Sequence, residues 1–208
     1  MREHPIPPVT EALQYRAIGL VRGIYRPTDP EVFSRGLLRV DQDEDIDAVV
    51  LGKVISLMKR HISLESSHLW VVYPRCRDSE HLHLQISGIW EPSTLNKPGL
   101  DKTPLNKKEE ELNQLAQGEN YFSIRGELIF TKPDDSELVI KIRQGFKPGR
   151  KKALPFKLKL KGKIPFNYLR NFISLDVIRL GQELHVESYK IIEGNRDQDL
   201  NKENQHPS

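Results

Sequence analysis

The chain contains the same pattern twice, and this limits its fold more than any other feature. Tyr15, Ile18 and Pro27 recur as Tyr121, Ile124 and Pro133, each 106 positions later. Gly52-Lys53-Val54 returns as Gly162-Lys163-Ile164. The closing segments align without a gap at a shift of 102, which sets Trp70 on Phe172, Arg77 on Arg179 and Leu82-His83-Leu84 on Leu184-His185-Val186. Ile89 and Glu91 continue as Ile191 and Glu193. A unit of roughly 75 residues is far longer than a solenoid repeat, so it is a domain and the chain is a tandem pair.

Each copy has its own order of elements. In the first, Tyr15–Tyr25 reads as a strand ended by Arg26-Pro27 and a turn at Thr28–Pro30. Its two glycines, Gly19 and Gly23, predict bulges or a sharp bend. Phe33–Val40 and Ile46–Leu51 form a hairpin around the acidic turn 41–45. Leu51, Val54, Ile55, Met58 and Ile62 then make one stripe of an amphipathic helix. His68–Tyr73 and Leu82–Trp90 return to strand. The second copy runs Tyr121–Phe130, a turn at Pro133–Asp135, Glu137–Arg143 and a Gly/Pro/basic loop over 144–155. It continues with a strand over Phe156–Ile164, one or two helical turns over Phe166–Phe172 opened by Pro165, and strands over Ile173–Arg179 and Leu184–Ile192. The expected boundaries are a loose proline-rich arm over 1–12, a first domain over 13–92, a linker over 93–118, a second domain over 119–193 and a disordered tail over 194–208. Within the linker, Lys107–Ala116 has the composition of a short surface helix.

The strand Phe156–Ile164 carries the most pointed chemistry. Lys157, Lys159, Lys161 and Lys163 alternate with Phe156, Leu158, Leu160 and Ile164, so one face is basic and the other apolar. Alternate residues of a strand stand roughly 6.6 Å apart, which is comparable to the phosphate spacing of an extended single strand. Like charges in a row repel, so the arrangement brings no stability of its own. It fits either a polyanion-facing strand or a solvated face whose lysines discourage edge pairing. Charge is segregated along the chain. Residues 141–170 hold eleven Lys/Arg and no Asp or Glu, while the whole chain carries only +3. Such a patch is the footprint of phosphate binding, and it equally suits an acidic protein or an anionic membrane surface.

Five strands with a helix between the third and fourth is the element order of the OB-fold barrel. The sequence resembles the OB-fold superfamily over about 13–92 and 119–193. This implies a mainly β fold of two tandem five-stranded OB-like barrels, with a short helix per domain, related by internal duplication. The segments Tyr121–Phe130 and Phe156–Ile164 are further similar to uncharacterised conserved proteins of cyanobacteria, from which no function follows.

OB barrels bind single-stranded nucleic acid on the face of their middle strands. Carried onto this chain, the resemblance implies phosphate contacts from Lys141, Arg143, Lys157, Lys159, Lys161 and Lys163. It adds Lys147, Arg150, Lys151 and Lys152 from the joining loop, and Arg170. Phe146 in that loop and Tyr168 are the candidate stacking rings, with packing in a core or cap as the other reading. The partner is then single-stranded RNA or DNA, or alternatively an acidic protein met in an assembly or regulatory role. The first domain, balanced in charge, reads as an interaction or dimerisation module, with Trp70, Tyr73 and Trp90 read as its core ahead of the alternative, a platform for bases.

Other chemistries find little footing. Cys76 is the single cysteine, so the chain can build neither a disulfide framework nor a multi-thiolate metal site. Its neighbours Arg75 and Arg77 have the charge to lower a thiol pKa, yet no base accompanies it. An EF-hand counted from Asp41 needs Gly sixth and Glu twelfth, where Ile46 and Gly52 stand, so a solvated acidic turn or one docked on the basic patch is expected instead. The pair His81 and His83, with His61 and His68 nearby, lacks ligand partners at motif spacing. There is no phosphate loop, dinucleotide fingerprint or nucleophile elbow. The expectation is a non-enzyme without metal or cofactor. No apolar run is long enough for a membrane span, and the first residues lack a signal-peptide core, so the expected location is cytoplasmic.

Overall fold

A computed structural model describes residues 4–42, 44–77, 81–90, 118–145 and 154–192. The elements are β1 (Arg16–Asp29), β2 (Val32–Asp41), β3 (Glu44–Val50), α1 (Gly52–His61), β4 (His68–Arg77) and β5 (His81–Ile89). They continue with β6 (Tyr121–Lys132), β7 (Glu137–Ile142), β8 (Phe156–Lys161), β9 (Phe172–Leu180) and β10 (Glu183–Ile192).

The strands close into two barrels. β1 pairs with both β2 and β4, and the order β2-β3-β5-β4-β1 is sealed by a parallel β3–β5 ladder. β6, β7, β8, β10 and β9 repeat this, with β6 pairing β9 and a parallel contact between His185 of β10 and Lys161 of β8. The register follows the sequence repeat: Val21 opposite Trp70 in the first barrel is Glu127 opposite Phe172 in the second. Gly23 and Gly126 allow the sharp coiling of the first strands, because a Cβ at either would lie 2.5 Å from a carbonyl oxygen of the neighbouring strand.

Alternation fills each barrel. Tyr25, Leu38, Ile46, Trp70, Leu84 and Ile86 are fully buried in the first, as are Ile124, Leu128, Leu138, Ile140, Leu158 and Ile173 in the second. The Trp70 indole donates to the Gly23 carbonyl at 2.9 Å, and the Tyr25 hydroxyl donates to the Phe33 carbonyl at 3.0 Å. α1 plugs the first barrel with Val54 and Met58. The second barrel differs from expectation here. In the place of α1 stands a single 3-10 turn, Phe166–Tyr168, with no buried residue, and its neighbour Ile164 is buried and accepts a 2.7 Å bond from the Thr131 hydroxyl through its carbonyl. Pro165 fixes the entry, and Leu169 returns at once to extended backbone, so no helix can propagate.

The barrels share one ten-stranded sheet, because β1 also pairs antiparallel with β6. The pairs are Arg16–Arg125, Ala17–Ile124, Ile18–Ser123 and Gly19–Phe122. Exchanging each residue for its counterpart 106 positions away turns this list into itself, so the junction is a local pseudo-two-fold. Arg125 locks it, donating to the carbonyls of Ala12 and Gln14 and to the Ser174 hydroxyl. The proline-rich arm has no regular structure from residue 4 onward, yet Ile6 is buried against Ile18, Leu20 and Leu69. The linker, the basic loop over 146–153 and the tail lie outside the described residues. Among the described residues no helix is long and apolar enough to cross a membrane.

Candidate nucleic-acid interface

The middle strands of the second barrel present a basic outer face. β7 and β8 run antiparallel, with Glu137 opposite Lys161, Val139 opposite Lys159 and Lys141 opposite Lys157. The inner residues Leu138, Ile140, Leu158 and Leu160 are buried, so pleating turns these partners outward. Arg143 stands exposed just beyond the end of β7, and Lys163 just beyond the end of β8.

The lysine row is not bare, which corrects the sequence-based picture of mutual repulsion alone. Glu137 takes Lys159 at 3.0 Å and Lys161 at 3.4 Å, and Lys161 also lies 3.6 Å from Glu183 of β10. Lys159 and Lys161 hold the Glu137 carboxyl below its usual range, chiefly through the hydrogen bond from Lys159. Glu127 of β6 receives Lys141 at 3.3 Å and Arg170 at 3.7 Å. These carboxylates come from outside the acid-free tract of the sequence and reach the lysines across strands. The neutralisation is incomplete. Glu137 serves two lysines, and Lys157 has no carboxylate partner among the described residues. Lys141 and Lys157 face each other directly, an unfavourable like-charge pair.

The other expected residues divide. Arg170, 76% exposed, adopts a left-handed backbone with φ of 68° and joins the face through Glu127. Tyr168 is half-buried against the core and packs edge-on against Tyr189, with centroids 6.2 Å apart, so it caps the barrel rather than standing free. Phe166, which its sequence context does not mark out, is the more open ring at 60% exposure. Phe146, Lys147, Arg150, Lys151 and Lys152 lie outside the described residues.

The first barrel flanks this surface. Arg75 of β4 stacks its guanidinium on the Phe156 ring at the start of β8, 3.9 Å from the centroid. Cys76 lies beside Lys159, and burial pushes its thiol pKa up, contrary to the lowering that its arginine neighbours suggested. The acidic turn of the β2–β3 hairpin docks on the second barrel, but not on the lysines. Glu44 pairs with the buried Arg179, and the Gln182 amide donates to the Asp45 carbonyl at 3.1 Å. Asp45 is held well below the usual carboxylate range by a bidentate bond from Arg39. No group of three potential metal ligands occurs among the described residues. Trp70 is core, as expected, whereas Tyr73 and Trp90 are only partly buried and pack on the outside of β1 and β4.

Residues 17–97 match the family model described as the PatR RNA-binding protein, N-terminal OB-fold domain. Residues 124–193 match a second model, the cyanobacterial OB-fold-like RNA-binding domain, C-terminal. No curated protein matches the chain.

Proposed function

Given that the chain belongs to the OB-fold superfamily, with two OB-fold domains in tandem, we propose that it is a non-catalytic protein that grips single-stranded RNA. The grip is by backbone charge, on the outer face of β7 and β8, with little reading of sequence. The observation that carries this reading is the juxtaposition of Lys141, Lys157, Lys159 and Lys161, with Arg143 beside them, on the middle strands of an OB barrel. The family models that match both barrels describe RNA-binding domains, which favours RNA over DNA. The Lys141–Lys157 apposition is repulsive in the free protein and is relieved by an intervening phosphate. Glu137 and Glu183 are then internal counter-ions from which an RNA backbone takes over Lys159 and Lys161.

Fluorescence anisotropy tests this with labelled single-stranded RNA, single-stranded DNA and duplex DNA of about 25 nucleotides, longer than the roughly 4–16 that one OB barrel occupies. Across a salt series, binding to RNA is expected to be tightest and to weaken steeply as salt rises. Changing Lys157, Lys159 and Lys161 together to Glu is expected to abolish it. Absence of RNA binding at low salt overturns the proposal and turns attention to an acidic protein partner.

A further inference from the structure

A second basic surface lies at the seam between the barrels. It is a groove of ≈ 350 Å³ whose walls include Tyr15, Arg16, Tyr73 and Arg75 from the first barrel and its approach, and Arg143 and Phe156 from the second. No Asp or Glu is among the described residues that line it. Two of its contacts cross the boundary in opposite directions. Arg75 of the first barrel stacks on Phe156 of the second at 3.9 Å, and Arg143 of the second lies over the Tyr15 ring at 5.8 Å. Tyr15 is in turn braced edge-on by Phe172, centroids 5.0 Å apart.

The charges here are costly as they stand. Arg16 and Arg75 are half-buried, and neither has a carboxylate partner among the described residues. Burial lowers the pKa of both guanidinium groups, and the neighbouring Arg125 adds to the effect at Arg16. Elsewhere on the chain, the half-buried Arg22 and Arg39 and the buried Arg179 each meet an acid: Glu119, Asp45 and Glu44 respectively. A desolvated guanidinium without its anion is unfavourable, and a phosphate supplies that anion with matching fork geometry. A guanidinium already flattened on an aromatic ring leaves its opposite face for a second planar group. Aromatic rings interleaved with arginines are the combination that was missing from the lysine strand.

We propose that this interdomain groove is a second, composite RNA subsite, in which a nucleotide of the bound single strand is held by phosphate contacts to Arg16 and Arg143 and by stacking at Arg75, Tyr73 and Tyr15. The inference rests on the single-stranded RNA reading of the β7–β8 face and extends it. Phe156 and Arg143 sit at the shared end of both surfaces, so one strand passes from the lysine row into the groove. The first barrel, unremarkable in net charge, thereby contributes directly to binding.

Two measurements on the full chain test this. In the first, the unaltered protein is photo-crosslinked to single-stranded RNA carrying 4-thiouridine, and the adducts are mapped by mass spectrometry. Adducts on peptides containing Tyr15 or Tyr73 are expected, and adducts confined to the second barrel overturn the inference. In the second, Arg16→Gln, which leaves the lysine face and Arg143 untouched, is expected to weaken RNA binding by about threefold and to lower the salt slope by about 0.7, the share of one phosphate on a single strand. Wild-type affinity and slope in that variant also overturn it. Loss of binding on changing the β8 lysines, with none on changing the groove, removes the groove and leaves the lysine face standing. If the wild-type chain binds no RNA, both fall.

Discussion

The ring of Phe122 occupies the place where a side chain on Gly19 would begin. A Cβ built at Gly19 lies 2.1 Å from Cδ1 of that ring, and the two residues are paired across the β1–β6 ladder that joins the barrels. Phe122 is fully buried, so its ring cannot swing out into solvent without exposing apolar surface. Gly19→Ala is therefore expected to destabilise the protein by roughly 1–3 kcal/mol through overpacking. Gly88→Ala, whose nearest neighbour would be 3.6 Å away, is expected to stay within about 0.5 kcal/mol of wild type. Thermal or denaturant unfolding of the two variants measures the contrast.

Arg179 anchors another contact between the barrels. It is buried, and it holds Glu44 of the β2–β3 turn, the Asn120 side-chain carbonyl at 3.0 Å and the Gly181 carbonyl at 2.7 Å. Arg179→Ala strands several acceptors at once and is expected to cost roughly 2–4 kcal/mol. Limited proteolysis between the barrels should accelerate in step with the loss seen in denaturant.

Glu137 acts in the proposed binding face as an internal competitor for two lysines. Glu137→Gln is expected to tighten single-stranded RNA binding roughly two- to fivefold at low salt, and the gain should fade at high salt. The melting temperature should change little, because the pairs it breaks are half-exposed and still reached by solvent. An affinity unchanged or weakened contradicts the placement of RNA on this face.

Two tyrosines set an alkaline limit. Burial pushes Tyr25 up to about 12, and burial together with the bond to Asp176 does the same for Tyr121. Their folded pKa values lie above the unfolded value of about 10. The stability linked to their neutral forms is thus complete below pH of about 10 and is lost as the pH rises toward 12. Phenolate absorbance should show two late tyrosines that titrate near or together with unfolding.

Cys76 reports on the junction. Burial raises its thiol pKa, so its reaction with a disulfide reagent near neutral pH should be slow compared with an unstructured thiol. In Arg179→Ala the rate should rise, because the seam beside Lys159 opens more often.

The barrels were legible in the sequence because their cues are local. Glycines mark the coiled first strands, period-two alternation marks the walls, and the repeat of Leu82-His83-Leu84 as Leu184-His185-Val186 marks the closing hairpins. What escaped was everything that depends on distant pairing. The tract around Lys159 contains no acid, yet Glu137 and Glu183 arrive from neighbouring strands. The acidic turn found a basic partner in Arg179, a lone residue, rather than in the conspicuous lysine row. The helical segment of the second barrel is only one 3-10 turn because Pro165 and the extended Leu169 bracket it. The groove at the seam had one visible signal, Tyr73 and Arg75 at alternate positions of β4. The balanced net charge of the first barrel hides it, because net charge says little about where arginines converge.

A nucleic acid strand has a direction, and a two-fold axis reverses it. Because the β1–β6 ladder maps onto itself when the two copies are exchanged, a strand crossing the junction meets equivalent surfaces of the two barrels with opposite polarity. Duplication therefore could not lengthen one track by repeating it. The two copies differ accordingly: the second carries the lysines on its middle strands, and the first presents Arg75 to the Phe156 ring at the seam.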